Sequence, residues 1–218
     1  MKDKVVYQLK DKAIWVVLAV LVVAFTIANP RFVNPNNLFS LLRQVSMFGI
    51  ASIGMTFVIL LGDIDLSIGS IITFVNIICA YFMVHMGMNM WLAILITLVV
   101  STLIGTLNGF MVSTVGIPAL IATFATQTAF QGLAYLVSGG LPVNGFTESF
   151  KIFGQGYIGI VPVPVIIMVI CFALGSFILN KTYFGRYFYA VGGNVEAARL
   201  SGIRVGRIKY LVFSISGF

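Results

Sequence analysis

The sequence is short of charged residues. Only 9% of its 218 residues are Asp, Glu, Lys or Arg, whereas 60% are hydrophobic. A soluble domain has about 25% charged and about 45–50% apolar residues. This difference is too large for an ordinary globular core, so we expect much of the surface to contact lipid.

Cysteine and histidine are also scarce. Cys79 and Cys171 lie inside apolar runs, and the single histidine, His85, lies near the end of one. They have no metal-ligand spacing, so we expect no metal site and no disulfide. The chain also lacks a Gly-x-x-x-x-Gly-Lys-Ser/Thr phosphate loop and a His-Glu-x-x-His zinc motif. These absences argue against an enzyme, and we expect no catalytic residues.

The net charge of +7 does not indicate a nucleic-acid partner. The basic residues lie between apolar runs, without the clustered basic surface that nucleic-acid binding uses. Their positional bias has a better explanation in membrane topology.

Six apolar runs are long enough, or nearly so, to cross a bilayer, for which a helix needs about 20 residues. They span residues 13–28, 39–61, 68–86, 91–112, 117–137 and 159–179, and a seventh run opens at Tyr210. We predict an all-α transmembrane helix bundle that forms a single domain over residues 1–218. Because the chain stops at Phe218, inside the seventh run, we expect a sequence truncated at its C-terminus.

The first run has a basic flank, which raises the alternative of a signal peptide. The following Asn29-Pro30-Arg31 does not resemble a small-residue cleavage site, so we favour an uncleaved span. With the N-terminus in the cytoplasm, ten of the 13 basic residues fall on the cytoplasmic side, as the positive-inside rule requires. These are Lys2, Lys4, Lys10, Lys12, Lys181, Arg186, Arg199, Arg204, Arg207 and Lys209. Residues 138–158 then form an external loop and residues 180–209 a cytoplasmic one.

Two carboxylates, Asp63 and Asp65, lie with Ser67 between the second and third apolar runs. Charged residues at membrane depth are costly and usually serve a function, such as shaping a translocation path or gate. The alternative is local: Asp65 or Ser67 caps the next helix and does nothing more. The spacing alone does not decide between them.

Small residues recur every four positions along the fourth run, at Ala93, Thr97, Ser101, Gly105, Gly109 and Ser113. A face of this kind lets a second helix approach closely within a membrane. We therefore predict helix packing at Gly105 and Gly109.

The fifth run carries a polar stripe at the same spacing, formed by Thr123, Gln127, Gln131 and Tyr135. Amides in hydrocarbon must be hydrogen-bonded or hydrated. They either line a path for a neutral, hydroxyl-rich solute or join helices by hydrogen bonds. Both interpretations stay open.

Residues 190–203 predict a short helix between two spans. Asn194 is a favourable N-cap, Ala197 to Leu200 favour helix, and Gly202 follows a favourable stop. Such an element is either a docking surface or an ordered connection. The candidate docking residues are Gly193, Asn194, Glu196, Ala197, Arg199 and Gly202.

Three stretches resemble the permease subunits of ribose-type ABC sugar importers. They are GMTFVI at 54–59 running into GDIDLSIGS at 62–70, GLAY at 132–135 with SGGLPV at 138–143, and GR at 185–186 with GGNVEAARLSGI at 192–203. The family usually has two glycines before the Ile-Asp-Leu-Ser core, and Asp63 replaces the second. The resemblance covers nearly all of residues 14–218.

The resemblance implies a bacterial inner-membrane importer in which two like permeases form the pore. Cytoplasmic ATPase subunits would bind ATP and Mg and dock on the 193–202 loop, and a periplasmic sugar-binding protein would deliver the solute. The chain itself would hold no cofactor. We expect import of a monosaccharide. The alternatives are an ion-gradient-driven secondary transporter of a small polar solute and a membrane scaffold without a transport role.

Overall fold

The computed structural model describes residues 13–218 and is a bundle of helices, which confirms the predicted all-α class. The basic residues Lys2, Lys4, Lys10 and Lys12, on which much of the orientation argument rests, lie outside the described residues. The predicted orientation therefore stays a prediction.

The α-helices are numbered here in chain order. They are α1 (Ala13–Ala28), α2 (Pro35–Leu60), α3 (Ile68–Val84), α4 (Met90–Phe110), α5 (Ala119–Ser138), α6 (Glu148–Gln155), α7 (Val163–Lys181), α8 (Tyr183–Gly193), α9 (Val195–Leu200) and α10 (Val205–Gly217). A 3₁₀ turn (Pro30–Val33) precedes α2, a π-helical turn (Met111–Val115) extends α4, and a short hairpin pairs β1 (Tyr157–Ile158) with β2 (Val161–Pro162).

Four of the described helices are long and apolar enough to cross a membrane: Pro35–Leu60, Met90–Val115, Ala119–Ser138 and Val163–Lys181. Ala13–Ala28 and Ile68–Val84 are shorter apolar helices. The predicted seventh run needs correction, because α10 begins at Val205 rather than Tyr210. The polar residues Arg207 and Lys209 hid this first turn from a search for apolar runs.

The segment predicted as an external loop, 138–158, contains regular structure. Helix α6 occupies Glu148–Gln155, and the β1–β2 hairpin follows it. Gly159 has φ +62°, the left-handed conformation that a tight turn between two strands favours. The prediction did not identify this short helix or the hairpin within the connection between the two spans, and whether the connection is external stays a prediction.

By its internal contacts the chain divides into residues 1–45 and residues 46–218. In the described part of the first unit, Asn29 begins the 3₁₀ turn by accepting a 3.0 Å hydrogen bond from the Arg31 amide. The Phe25 and Phe32 rings lie 5.6 Å apart across the turn. The Asn37 side chain donates to the Phe32 carbonyl at 2.8 Å.

The second unit is built around the packing of α4 against α10. The small-residue stripe of α4 is buried, with Ala93 fully covered and Ser101 3% exposed, whereas Leu95, Val99 and Leu103 are more than half exposed. Small residues thus face the bundle and large apolar ones face outward. This distribution suits a protein whose outer solvent is lipid.

Two apolar clusters hold the second unit together. The larger one joins α2, α8 and α10 through side chains that include Phe57, Phe188 and Phe213, all 2% exposed or less. The smaller one joins α3, α4 and α5, with the Phe74 and Phe130 rings 5.0 Å apart. The larger cluster lies next to the residues predicted for docking, and the smaller one lies along the polar stripe of α5.

Candidate coupling and translocation elements

Residues 61–67 form a non-helical segment between α2 and α3. Helix α2 ends where the amides of Leu61 and Gly62 turn back to the carbonyls of Val58 and Ile59. Gly62 has φ +79°, a conformation that side chains with a Cβ rarely adopt. The chain is then non-helical from Asp63 to Ser67, and its three polar side chains, those of Asp63, Asp65 and Ser67, are 13% exposed or less.

A hydrogen-bonded network starts at the Asp65 carboxylate, which is 1% exposed. Asp65 Oδ1 accepts from the Ser67 amide at 2.8 Å and from the Ser67 hydroxyl at 2.5 Å. Asn108 of α4 donates from Nδ2 to Ser67 Oγ at 2.8 Å, and its Oδ1 accepts from the Thr126 hydroxyl of α5 at 2.6 Å. This network, called here the Asp65–Thr126 network, connects the segment to two helices.

The network also decides how α3 begins. Ser67 is the residue before the helix, but its hydroxyl makes no capping bond. The backbone amide of Ser67 instead donates a hydrogen bond to the Asp65 carboxylate. Burial raises the pKa of the Asp65 carboxyl, and the hydrogen bonds that this carboxyl accepts from Ser67 offset part of the increase. Neither Asp65 nor Ser67 makes a side-chain capping bond to the first turn of α3, so the capping interpretation does not account for this arrangement.

Thr123 of α5 also binds the 61–67 segment. Its hydroxyl oxygen accepts from the Leu66 amide at 3.1 Å and donates within α5 to the Ala119 carbonyl at 2.8 Å. Thr123 is fully buried. In this conformation Thr123 connects α5 to the 61–67 segment by hydrogen bonds, and it lacks the exposed surface that a path-lining residue needs.

Asp63 forms an ion pair with Lys209 of α10. Lys209 Nζ lies 2.8 Å from Oδ2 and 3.1 Å from Oδ1, and the two side chains are 13% and 19% exposed for Asp63 and Lys209. The pair joins the 61–67 segment to the helix that follows α9. A carboxylate in place of glycine at position 63 thus has a cationic partner 146 residues away in sequence.

Breaking this pair should destabilise the protein measurably. We expect Lys209→Met to lower the free energy of unfolding by about 1–3 kcal/mol, because it leaves a largely buried carboxylate without its partner. Asp63→Gly combined with Lys209→Met should recover part of the loss. Thermal unfolding in detergent measures both changes.

Lys151→Met is the matched control, since Lys151 pairs with Glu148 at 2.7 Å on an exposed helix. An exposed pair of this kind contributes about 0–1 kcal/mol. Equal effects of Lys209→Met and Lys151→Met would contradict a structural role for the Asp63 pair.

The two glutamines of the α5 stripe lie apart from the Asp65–Thr126 network. Gln131 lines a cavity of about 450 Å³ between α3, α5 and the residues that follow α5. Gln127 is half-buried and does not line this cavity. Neither amide makes a hydrogen bond within the part of the chain that the structure describes.

The short helix predicted between two spans is α9. The Asn194 side chain accepts from the Ala197 amide at 2.9 Å, which caps its N-terminus. At its end Gly202 has φ +83°, and the Ile203 amide donates to the Ala198 carbonyl at 3.0 Å. Because both ends are closed by local hydrogen bonds, six residues suffice to hold the helix.

One face of α9 is buried and the other is open. Ala198 is 4% exposed and packs in the larger apolar cluster, whereas Leu200 is 88% exposed. Glu196 and Arg199 form an exposed ion pair at 3.0 Å. Leu200, Glu196 and Arg199 therefore lie on the exposed face of α9.

Helix α8, which carries α9, packs closely against the end of α2. A Cβ at Gly192 would overlap the Leu60 carbonyl, so this approach requires glycine. The Phe57 and Phe188 rings lie 5.7 Å apart in the same contact. Helix α8, which leads into α9, thus contacts the end of α2, where the 61–67 segment begins.

Gly105 and Gly109 lie against α10. A Cβ on Gly105 would overlap the Phe213 carbonyl, and one on Gly109 would lie 3.0 Å from the Tyr210 Cα. The Thr106 and Ser214 hydroxyls are 2.7 Å apart beside this contact. Backbone thus meets backbone along α4 and α10.

The residues predicted for a path or gate do not form one site. Asp65, Ser67 and Thr123 lie together, Asp63 pairs with Lys209, Gln131 lines the cavity and Gln127 does neither. The predicted site residues did not include Asn108, Thr126, Lys209 and Leu200. Asn108 left a usable signal, because it is a polar amide inside an apolar run next to the small-residue face.

Comparison with known proteins assigns the class. Residues 37–218 match the family described as "Branched-chain amino acid transport system / permease component". The chain belongs to this family of multi-pass transport permeases, which is not an enzyme family. No solved structure matches the chain significantly.

Individual relatives are named for sugars. The chain is 40% identical over 208 residues to the ribose import permease protein RbsC of Haemophilus influenzae, covering 94% of this chain and 64% of the relative. It is 41% identical over 202 residues to RbsC of Bacillus subtilis, covering 92% and 62%. It is 38% identical over 202 residues to the L-arabinose transport system permease protein AraH of Escherichia coli, covering 93% and 61%. The chain thus spans less than two thirds of the length of each.

Proposed function

We propose that this chain is the membrane-spanning permease subunit of an ATP-driven importer that moves a monosaccharide across the bacterial inner membrane. Relatives at about 40% identity are named for ribose and arabinose, which favours a sugar over the amino acids in the family description. In this arrangement the N-terminus, α8 and α9 face the cytoplasm.

The observation that carries the proposal is the series of packing contacts and hydrogen bonds that leads from α9 to the bundle interior. The exposed face of α9 is the docking surface for a cytoplasmic ATPase, with Gly193, Asn194, Glu196, Ala197, Arg199 and Gly202 as its residues; Leu200 extends it. From α9 the contact at Gly192 and Leu60 leads to the end of α2. The 61–67 segment follows and holds the Asp65–Thr126 network.

Asp65 and Ser67 are proposed to shape the gate, because they lie where that connection meets α4 and α5. Asp63 holds the segment to α10 through Lys209. Gln127 and Gln131 are the proposed path residues, since their amides are unbonded among the described residues. Thr123 is proposed to act with the gate residues, because its hydroxyl connects α5 to the 61–67 segment.

The partners follow from this function. ATP and Mg would be bound by the ATPase subunit, and this chain would hold no cofactor of its own. A second copy or a similar permease would complete the pore, and a periplasmic sugar-binding protein would deliver the solute. ATP hydrolysis would take place outside this chain.

An ion-gradient-driven transporter is the competing function. The buried carboxyl of Asp65 favours it, because such transporters use ionisable groups inside the bundle. It leaves the exposed face of α9 unexplained. Dependence of uptake on ATP separates the two.

Glu196→Lys tests the docking surface. We expect retention of a co-expressed ATPase subunit on the tagged, full-length permease to fall about tenfold or more, because a few central residues dominate most interfaces. Membrane insertion should be unchanged, since the Glu196 side chain is 70% exposed. Co-purification from detergent or nanodiscs measures the retention.

Glu148→Lys is the matched control, because Glu148 also forms an exposed i,i+3 pair, but on α6. It should retain the ATPase fully. Retention that is insensitive to Glu196→Lys would move docking away from α9, and no retention by the unmodified permease would refute the ATP-driven importer.

A further inference from the structure

The cavity beside Gln131 is far from the docking surface. It lies between α3 and α5, near the end of α5, where residues 140–146 close one side. The 61–67 segment and α9 lie at the opposite ends of these helices. A volume of about 450 Å³ falls within the range of about 300–1,000 Å³ typical of small-molecule sites.

Both helices present the same pattern to the cavity. Thr73, Asn76, Ile77 and Ala80 line it from α3, and Gln131, Ala134, Tyr135 and Ser138 line it from α5. Each set has the spacing i, i+3, i+4, i+7, which places its four side chains on one helix face. Each face offers two or three polar groups and a small residue, of which Ala80 and Ala134 are buried and form the floor.

The polar groups are available to a ligand. The amides of Asn76 and Gln131 are exposed and make no hydrogen bond within residues 13–218. Ser138 Oγ accepts from the Gly140 amide at 3.1 Å, so its proton remains free to donate elsewhere. Two amides, each with donors and an acceptor, match adjacent hydroxyl groups, which also donate and accept.

An aromatic wall completes the cavity. Tyr135 is 70% exposed and lies against the backbone of Gly140, where an added Cβ would be 2.8 Å from the ring. Gly140 has φ +77° and so lets the chain turn back over this ring. Phe146 lies on the same side and stacks on Phe150 with ring centroids 5.2 Å apart. Aromatic faces give the apolar side of a small ligand a surface to cover.

From this geometry we infer that the cavity is a binding site for a neutral, polyhydroxylated solute, with the Asn76 and Gln131 amides as its hydrogen-bonding groups. Among the described residues, 13–218, no Asp, Glu, Lys, Arg or His side chain lines it, so they offer no counter-charge for an ionic solute. This inference rests on the proposed function and specifies it: the cavity receives the solute before the gate opens. Binding is weak, because a site on a conduction path must also release its ligand.

Transport by variants tests the role of the amides. The full-length permease, its ATPase and its binding protein are reconstituted in proteoliposomes, and uptake of radiolabelled D-ribose is measured. Asn76→Leu and Gln131→Leu should each slow uptake about fivefold to tenfold, the effect of one lost hydrogen bond, with ATPase retention unchanged. Thr128→Val is the control on α5, because within the described part of the chain the Thr128 hydroxyl bonds only to the Phe124 carbonyl of its own helix.

Thiol labelling tests binding without transport. In a Cys171→Ala background, Ser138→Cys places a thiol on the cavity wall, while Cys79 is buried. Millimolar D-ribose should slow its labelling by a small maleimide. Labelling of Gln155→Cys, which lies outside the cavity, should be unaffected, and Asn76→Leu should abolish the protection.

The outcomes separate this inference from the proposed function. ATP-driven uptake that is unchanged in Asn76→Leu and Gln131→Leu, without protection at position 138, overturns the cavity site and leaves the importer standing. Absence of uptake by the unmodified complex overturns the importer, and protection at position 138 then decides the cavity site alone. Slower uptake together with protection supports both.

Discussion

Gly105→Leu is expected to prevent correct folding of the bundle or to leave a protein that aggregates in detergent. A Cβ at this position would overlap the Phe213 carbonyl, and the neighbouring atoms on α10 are the backbone of Gly217. Backbone cannot give way as a side chain can, so the cost should exceed the about 1–3 kcal/mol of ordinary overpacking. Size-exclusion chromatography and thermal unfolding measure the effect.

Gly132→Leu is the matched control for this substitution. Gly132 is also helical, on α5, and an added Cβ would meet no atom within 4 Å. The variant should elute and unfold like the original protein. Equal tolerance of leucine at both positions would contradict the close packing of α4 on α10.

Asn108→Leu should have the second-largest effect. It removes two buried hydrogen bonds, from Nδ2 to Ser67 and from Thr126 to Oδ1. At about 0.5–1.5 kcal/mol for each bond, the free energy of unfolding should fall by about 1–3 kcal/mol. Uptake should fall further than this loss explains, because the 61–67 segment loses its side-chain connection to α4, although Thr123 still binds it to α5.

Thr102→Val gives the comparison for Asn108. Thr102 lies on the same helix and is partly buried, and among residues 13–218 its hydroxyl bonds only to the Leu98 carbonyl one turn earlier. Thermal unfolding and uptake should both stay near the original values. If Asn108→Leu behaves like Thr102→Val, the Asp65–Thr126 network has no structural role.

Local patterns in the sequence predicted the features that depend on local physics. The four-residue spacing of small side chains places Gly105 and Gly109 on one face, and that spacing is a property of any helix. Helix α9 was predicted for the same reason, because Asn194 and Gly202 close its ends through hydrogen bonds to nearby residues. Neither inference needed tertiary structure.

The candidate gate could not be derived in this way. Ser67 and Asn108 are 41 residues apart, and Asp63 and Lys209 are 146 residues apart. Their pairing depends on how α3, α4, α5 and α10 pack, which no short window of sequence specifies. The same limit applies to Gln127 and Gln131: they share a stripe on α5, but only Gln131 meets the cavity face of α3.

The boundary of α10 was missed for a different reason. Arg207 and Lys209 interrupt the apolar pattern, so hydropathy alone places the start of the seventh apolar run at Tyr210. In the structure the Lys209 charge is compensated by Asp63, which allows a basic residue on a helix that packs in the bundle. A prediction from hydropathy treats each charge separately and does not detect such compensation.

Uptake of D-ribose, measured with and without ATP, tests directly whether the chain serves an ATP-driven importer. The full-length permease is reconstituted with its ATPase and its periplasmic binding protein, and ribose accumulation is followed with and without ATP inside the vesicles. For an ATP-driven importer we expect accumulation that requires ATP and all three components and that persists when ion gradients are collapsed. Accumulation that needs an ion gradient and continues without ATP would contradict it and identify a secondary transporter.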